Sequence, residues 1–323
     1  IYKMIKLSFN KKIGENNPCF IIAEAGVNHN GSLSLAKKLV DIAVEAKADA
    51  VKFQTFIADE IILKKAPKAR YHIETTGSDA KQSWYQLLKS QEISINMHKE
   101  LIKYCKKKKI IFLSTPYDEK SCDLLNNLGV EIIKIASTDT NNYQFIEYIA
   151  KKKKPVILST AMANIKEVET SYKILKKYLK NNFAIMQCTG SYPAPFKEAN
   201  LNVIKTYKKK FKCSIGYSDH VIEDHVALAA TALGITCYEK HITVSKKLPG
   251  PDHRASMEKK EFKLLVSNIR KIEESLGNSQ KKLSSCEKQN VRKLRKFLVA
   301  RKYIKKGDKL NNRNMIFKRT GGK

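Results

Sequence analysis

The chain has 323 residues, of which 42% are hydrophobic, and a formal net charge of +31. This length suits one barrel of about 250 residues with a small appendage, and no apolar run approaches the roughly 20 residues of a membrane span. The first residues lack the charged-then-apolar layout of a signal peptide, and the seven cysteines are scattered without a CxxC pair. We therefore expect a soluble, cytoplasmic protein with reduced thiols and no membrane partner.

Lysine carries most of the positive charge. It greatly outnumbers arginine, and lysine runs such as 106–109, 151–154 and 208–210 lie where a helix face or a turn would be solvated. Proteins that bind nucleic acids usually favour arginine, interleaved with aromatic side chains. We therefore expect no nucleic-acid partner, and a basic surface that attracts anionic substrates.

One pattern recurs along the chain, a β-branched run that ends in polar residues and is followed by an amphipathic stretch. The predicted strands are 20–24, 50–54, 110–114, 130–135, 155–159, 183–187, 213–217 and 236–241. The predicted helices include 34–46, 97–107, 119–128, 165–179, 226–233 and 259–276. Eight strand–helix units predict an α/β fold of the closed (β/α)8 TIM-barrel type, because a doubly wound sheet usually has fewer parallel strands.

Two further segments flank the first strands. Residues 4–13 are predicted to form a strand or hairpin that covers the barrel bottom. Residues 57–96 form a long polar insertion after the second strand and include the only tryptophan, Trp84. A loop of that length on the catalytic edge is usually a lid or an oligomer contact.

The pattern changes after the last barrel helix, which is predicted to end at Gly277 as a C-terminal cap. A polar linker then leads to a short strand and a tight turn. The sequence thus predicts a barrel domain over 1–278, a linker over 279–295 and, over 296–323, the start of a small C-terminal domain that is cut short at the end of the chain.

Two histidines end neighbouring predicted strands. His220 follows the strand at 213–217, and His241 ends the strand at 236–241. The helical pattern between them makes a strand–helix–strand unit, so both imidazoles should lie at the carboxyl ends of parallel strands, where barrels do chemistry. Two converging imidazoles suit a divalent metal. The spacing alone also allows two unrelated polar residues at strand ends.

The other strands end in polar side chains at the same edge. Glu24 ends the first strand, and Lys52 and Gln54 share one face of the second by the period of two. Hydroxyls and a second lysine follow on later strands: Ser114, Thr115, Lys134, Ser137, Ser159 and Thr160. Together they predict a site for a small, highly charged anion such as a phosphorylated carboxylic acid. Glu24 could act there as a general base or orient a substrate hydroxyl.

Several motifs together resemble the sialic acid synthase (N-acetylneuraminate synthase) family, which includes legionaminic and pseudaminic acid synthases. The motifs are at 20–31, 51–55, 112–116, 133–137, 216–220 and 250–253. The resemblance implies a barrel with a C-terminal antifreeze-like domain that reaches across a domain-swapped homodimer. It also implies that phosphoenolpyruvate condenses with an N-acetylated mannose-type sugar and that phosphate is released. The divalent metal is commonly manganese, with magnesium or cobalt as alternatives.

The resemblance also implies roles for matching residues. Glu24, Lys52 and Lys134 would be catalytic, and His220 and His241 would bind the metal. Phosphoenolpyruvate would be held by Lys52, Thr115, Lys134, Ser137, Ser159 and Tyr192, and the sugar by Gln54, Tyr192, Asp252 and Arg319. Arg319 lies at 318–321, which matches a Lys-Arg-Pro-Gly stretch of the domain that crosses to the partner.

Two positions depart from the family pattern. Thr320 stands where proline is expected, and Gly190 stands where many members have asparagine. The sugar is therefore left open between N-acetylmannosamine and a 2,4-diacetamido-trideoxy relative, as in legionaminic or pseudaminic acid synthesis. Another metal-dependent phosphoenolpyruvate–sugar synthase or an aldolase would share the barrel and the lysines but would not need residues 318–319.

Overall fold

The structure is a computed structural model that describes residues 4–76 and 82–321. Residues 1–3 and 322–323, at the outer ends of the predicted domains, lie outside the described residues, as do residues 77–81 of the predicted insertion. The chain divides into two compact units, Ile1–Leu276 and Gly277–Lys323.

A small hairpin precedes the barrel, as expected for residues 4–13. Its strands, β1 (Ile5–Lys6) and β2 (Lys12–Ile13), are antiparallel and pair Ile5 with Ile13. Both isoleucine side chains are fully buried in one apolar cluster with Phe20, Ala50 and other side chains at the beginnings of the barrel strands. The hairpin therefore closes the amino-terminal end of the barrel.

Eight parallel strands form a closed barrel in the first unit. They are β3 (Phe20–Gly26), β4 (Ala50–Thr55), β5 (Ile111–Pro116), β6 (Ile133–Ile135), β7 (Val156–Ser159), β8 (Phe183–Cys188), β9 (Ser214–Asp219) and β10 (Cys237–His241). Each strand pairs with the next along the chain, and β10 pairs with β3 to close the barrel. All eight predicted strands are present, and the predicted (β/α)8 fold is confirmed.

Alternation along each strand decides which side chains enter the barrel. In β3, Ile21 and Ala23 belong to the apolar layer beneath the helices, whereas Phe20 and Ile22 belong to the interior cluster. Because successive side chains of a strand point to opposite faces, Glu24 follows Phe20 and Ile22 into the interior. A strand that is otherwise apolar on both faces thus places a carboxyl group at its inner end.

Helices alternate with the barrel strands, and three more lie in the described part of the insertion after β4. The helices of the first unit are α1 (Leu33–Glu45), α2 (Ala58–Ile61), α3 (Arg70–Thr76), α4 (Trp84–Gln91), α5 (Ile95–Lys108), α6 (Glu119–Asn127), α7 (Tyr143–Lys151), α8 (Ile165–Leu179), α9 (Asn202–Lys210), α10 (His225–Ala232) and α11 (Lys259–Leu276). The segment expected to be a long loop therefore contains α2, α3 and α4. Gly277 follows α11 with a φ of 53°, the left-handed conformation that the predicted cap requires.

The second unit contains a short helix and a two-stranded sheet. A helical turn at Ser285–Glu287 and helix α12 (Lys288–Leu294) lie in the segment expected to be a linker. Strands β11 (Lys296–Ala300) and β12 (Met315–Arg319) pair antiparallel. Among the described residues of either unit, no helix is long and apolar enough to cross a membrane.

Asp49 joins three segments at the amino-terminal end of the barrel. Its carboxylate accepts hydrogen bonds from Ile21 N at 2.8 Å, Lys11 Nζ at 2.7 Å and Arg270 Nη2 at 3.1 Å. The Asp49 side chain is only 9% exposed. One buried carboxylate therefore holds strand β3, the hairpin and helix α11 together.

We expect Asp49→Ala to lower the free energy of unfolding by about 2 to 3 kcal/mol, because it leaves the Ile21 N–H without its buried acceptor and Arg270 with Glu273 as its remaining carboxylate partner. The measurement is urea unfolding followed by circular dichroism. The control is Glu60→Gln, which breaks the exposed ion pair between Glu60 and Lys120 and should cost less than about 1 kcal/mol. Similar losses in both variants would contradict the role given to Asp49.

Candidate active site

Three inward side chains, one each on β3, β4 and β10, lie at one level of the barrel. The Cα of Glu24 pairs with that of Lys52 on β4 and with that of His241 on β10. Glu24, Lys52 and His241 are all buried. Barrel closure thus brings together residues that are more than two hundred positions apart in the sequence.

Two lysines and two glutamates form a buried cluster there. Lys52 Nζ lies 3.3 Å from Glu24 Oε1 and 3.4 Å from Glu239 Oε2. Lys134 Nζ lies 3.3 Å from the other Glu239 oxygen, Oε1. Lys52 also donates to Thr115 Oγ1 at 3.1 Å. Glu239 therefore bridges the two ammonium groups.

The four charges shift one another's pKa values. Burial by itself would raise the pKa of Glu239, but Lys134 and Lys52 hold it down to about 2. Burial raises the pKa of Glu24 to about 7 despite the neighbouring Lys52. Burial lowers the pKa of Lys134, whereas the pKa of Lys52 is raised because Glu239 and Glu24 outweigh its desolvation. Near neutral pH, Glu239 is thus the constant anion and Glu24 the carboxyl group that exchanges a proton.

Glu24 is oriented by one neighbour and has one open oxygen. Gln54 Nε2 donates to Glu24 Oε1 at 3.3 Å, while the buried Oε2 has no hydrogen-bond partner among the described residues. A Cβ at Gly26 would lie 3.4 Å from Gln54 Nε2 and from Glu24 Oε1, and 3.5 Å from Asp252 Oδ2. Gly26, with a φ of 53°, therefore lies against three of the predicted site residues.

The two histidines lie next to each other at the end of the barrel, as predicted. Their ring centroids are 5.6 Å apart, and the Tyr192 ring lies 4.1 Å from the His220 ring and 5.6 Å from the His241 ring. His220 Nδ1 donates to the carbonyl oxygen of Thr189 at 2.6 Å. This bond leaves the lone pair of the His220 Nε2 atom available to a ligand.

His241 keeps an unpaired nitrogen. Its buried Nδ1 has no hydrogen-bond partner among the described residues, and Asp252 Oδ2 lies 3.8 Å away. Burial and the neighbouring His220 hold the pKa of His241 well below its usual value, and burial raises the pKa of Asp252 to about 6. A neutral imidazole is the form that binds a metal ion.

Three further predicted site residues, Ser137, Ser159 and Arg319, have few contacts that bear on their predicted roles. Ser137, in a helical turn after β6, accepts a hydrogen bond from Ala161 N at 2.9 Å, and the Ser159 hydroxyl at the end of β7 lies 4.0 Å from Met186 Sδ. Arg319 ends β12 in the second unit, is exposed, and donates from Nε to Leu294 O at 3.1 Å. The roles given to these residues stay predictions.

Glu239 is a site residue that the sequence reasoning missed. It lies two positions before His241 on β10, so the period of two turns both side chains into the barrel. That signal was present in the sequence. Cys188 was also missed: its Sγ lies 3.8 Å from His220 Nδ1, on the side of the ring that bonds Thr189.

Comparison with known proteins identifies the family. The model of the NeuB family matches residues 39–281 of the chain. The chain belongs to this family. The resemblance to sialic acid synthases drawn from the strand-end motifs is thereby confirmed.

Relatives in this family are similar over nearly the whole chain. The N,N'-diacetyllegionaminic acid synthase of Campylobacter jejuni is 48% identical over 93% of this chain and 90% of its own length. The human N-acetylneuraminate-9-phosphate synthase is 36% identical over 95% of this chain and 84% of its own. The crystal structure of N-acetylneuraminic acid (sialic acid) synthetase from Leptospira borgpetersenii matches with a TM-score of 0.78 and 38% identity, over 90% of this chain and 95% of that one.

The opposite pKa shifts of the two glutamates predict a different pH dependence for the stability of each amide variant. A carboxyl group with a pKa of about 7 when folded, against an ordinary 4.5, binds its proton more tightly in the folded state, so its contribution to stability falls as the pH rises through that range. From pH 5 to pH 8, the unfolding free energy of metal-free Glu24→Gln should rise by roughly 2 to 3 kcal/mol relative to the unaltered chain.

Glu239→Gln should instead be less stable than the unaltered chain by a similar amount at both pH values. The folded pKa of Glu239, about 2, lies below the ordinary 4.5, so the stability that its ionised form contributes is present above about pH 4.5 and is lost only as the pH falls toward 2. Urea unfolding at pH 5 and pH 8 measures both differences. A stability difference for Glu24→Gln that does not change with pH would contradict the raised pKa.

Proposed function

We propose that this NeuB-family chain is a nonulosonic acid synthase that condenses phosphoenolpyruvate with an N-acetylated mannose-type sugar and releases phosphate. The observation that carries the proposal is the buried Lys52–Glu239–Lys134 cluster beside His220 and His241 at the catalytic end of the barrel. Relatives named as synthases of legionaminic acid, pseudaminic acid and N-acetylneuraminate-9-phosphate support it.

Lys52 and Lys134 would hold phosphoenolpyruvate. Two ammonium groups in a site shielded from water bind a phosphate and a carboxylate more strongly than surface lysines do, because few water molecules screen them. Thr115, already a partner of Lys52, and the hydroxyls of Ser137 and Ser159 would supply further hydrogen bonds. Glu239 keeps both lysines in place before the substrate arrives.

His220 and His241 would hold a divalent metal ion, and the donor set fits one. The orphaned Nδ1 of His241 and the Nε2 of His220, whose Nδ1 is bonded to Thr189, are two imidazole nitrogens side by side. No cluster of three or more His, Cys, Asp or Glu side chains with ligand spacing occurs among the described residues, so substrate or water would complete the coordination. Manganese is the ion we propose, with magnesium or cobalt as alternatives; when bound, it supplies a Lewis acid for the sugar aldehyde.

Glu24 would handle the proton. In the reaction, C3 of phosphoenolpyruvate forms a bond to the aldehyde carbon, water adds at C2, and the C2–O bond to phosphate breaks. A carboxyl group with a pKa of about 7 can take one proton from the water that adds at C2 and pass it to the former aldehyde oxygen, which becomes a hydroxyl group. The second proton of the water leaves with phosphate as the C2 ketone forms. Its open Oε2 atom is the acceptor that we assign, and Gln54 holds the other oxygen in place.

The proposed sugar is a 2,4-diacetamido-trideoxy relative of N-acetylmannosamine. Support comes from the two N,N'-diacetyllegionaminic acid synthases, from Campylobacter jejuni at 48% identity and Legionella pneumophila at 40%, against 36% for the human enzyme and 32% for the pseudaminic acid synthase of Campylobacter jejuni. Gln54, Tyr192 and Asp252, which line the space beside Glu24 and the histidines, would contact the sugar.

We expect the chain, incubated with manganese and phosphoenolpyruvate, to release phosphate only when an N-acetylated sugar is added, and fastest with the 2,4-diacetamido-trideoxy sugar. The assay measures phosphate release and the mass of the nine-carbon product. Mannose, which lacks the N-acetyl group, is the substrate control, and His220→Ala/His241→Ala is the protein control. Phosphate release that is equal with mannose, or no nine-carbon product with any of the sugars, would sink the proposal.

We further propose that the chain works as a domain-swapped homodimer in which Arg319 contacts the sugar in the partner's site. Arg319 is exposed on β12 and makes one backbone hydrogen bond within the second unit, so its guanidinium has donors to spare. This proposal concerns the partner and is tested separately from the reaction.

Mixing Arg319→Ala chains with His241→Ala chains should restore part of the activity that each variant lacks alone. If Arg319 acts across the dimer, one of the two sites in a mixed dimer has both an intact His241 and an intact Arg319. Two different affinity tags purify the mixed dimers before the assay. Purified mixed dimers without recovered activity would show that Arg319 acts within its own chain or not at all.

A further inference from the structure

A fully buried ion pair lies directly behind the two histidines. Lys240 Nζ is 3.1 Å from Asp219 Oδ2, and both side chains are 0% exposed. Asp219 immediately precedes His220, and Lys240 immediately precedes His241. On β10, Lys240 shares a face with Tyr238, which belongs to the apolar layer beneath the helices. The pair therefore links the two strands that carry the imidazoles from outside the barrel wall.

The pair also holds the backbone on the far side of His220. Asp219 Oδ1 accepts from Val221 N at 2.9 Å, and Lys240 Nζ donates to Val221 O. Tyr238 completes the network by donating its hydroxyl to Asp219 Oδ2 at 2.7 Å. Both hydrogen-bonding groups of the residue after His220 are thus bonded to the ion pair.

Further contacts hold His220 itself. Its carbonyl oxygen accepts from Ala194 N at 2.9 Å, and its Nδ1 donates to Thr189 O at 2.6 Å. With the backbone held on one side and the ring on the other, the His220 imidazole has one orientation in which all of these bonds are made.

A contribution to the stability of the fold does not by itself explain why this ion pair is present. Desolvating two charges offsets much of their attraction, and apolar side chains of similar volume often stabilise a fold equally well. What an ion pair with directed hydrogen bonds adds is a defined distance and orientation between the segments that it joins. Here those segments carry His220 and His241.

We propose that Asp219 and Lys240 are positioning residues that set the spacing and orientation of His220 and His241. This inference rests on the proposed function in one respect: it takes His220 and His241 to bind the same divalent ion. Mutation of groups that orient metal ligands without touching the metal typically lowers metal affinity by roughly 10- to 100-fold. A purely structural pair would change the stability of the fold and leave the affinity of the folded protein unchanged.

The first test is manganese titration of the full chain by calorimetry, without substrates. Asp219→Asn/Lys240→Met removes both charges together, so that neither is left unpaired, and should weaken binding at least about tenfold. Tyr238→Phe removes one hydrogen bond and should weaken it less. The control is Asp49→Ala, which breaks a buried network at the opposite end of the barrel and should leave manganese affinity unchanged while lowering stability.

The second test needs no metal. In protein with 15N-labelled histidine, the unaltered chain and Asp49→Ala should show His220 with its proton on Nδ1, as the bond to Thr189 requires. The double variant should show a mixture of both tautomers. This readout follows the orientation of the ring rather than the stability of the fold.

The two tests separate the inference from the proposed function. If His220→Ala/His241→Ala binds manganese as tightly as the unaltered chain, the proposed metal site is wrong, and the tautomer measurement alone decides the positioning role. If manganese binds at the histidines, unchanged affinity in Asp219→Asn/Lys240→Met overturns the inference. An equal loss of affinity in Asp49→Ala overturns it too, because the effect would then come from general destabilisation.

Discussion

Charge compensation in the interior of the barrel is the interaction on which the catalytic end of this protein depends. Lys52, Lys134, Glu24 and Glu239 are all buried, and an unpaired ion at that depth would cost several kcal/mol. Glu239 makes the arrangement possible because its two oxygens each contact a different lysine. Each lysine therefore has a carboxylate partner inside the barrel.

The same charge compensation gives the two glutamates different pKa values. Glu239 contacts both lysines and keeps a pKa of about 2, whereas Glu24 is buried with one lysine in contact and has a pKa of about 7. One glutamate is thus a permanent counter-ion, and the other is a carboxyl group that can exchange a proton near neutral pH. Pairs whose pKa values are pushed apart by their surroundings mark acid–base roles.

Ion pairs with a buried carboxylate join separate segments at both ends of the barrel. Asp49 joins the hairpin, β3 and α11 at the amino-terminal end, and the Asp219–Lys240 pair joins the strands that carry the histidines at the other end. The surface lysines differ from both, because their charges are solvated and screened. The high net charge of the chain therefore says little about the lysines that matter for the site.

Sequence periodicity by itself determined the eight strand–helix units, because parallel strands buried on both faces read as apolar runs that recur with amphipathic helices. It also determined which residues end those strands, and the strand-end motifs resembled the family to which the chain belongs. Helices α2 and α3 of the insertion were not predicted, because they are short polar segments with little apolar periodicity. Helix α4, which begins with a capping box at Ser83, was missed although its signal was present in the sequence.

Only the tertiary structure decided the partners and the protonation states. Glu239 contacts Lys52 and Lys134 because barrel closure brings β4, β6 and β10 around one interior, and no spacing along the chain states which inward side chains then touch. The pKa of Glu24 depends on how completely water is excluded, which is a property of the packed barrel. The pairing of Lys240 with Asp219 could not be predicted for the same reason. The sequence places a charged residue within an apolar strand, but its partner is known only once the neighbouring strand is positioned.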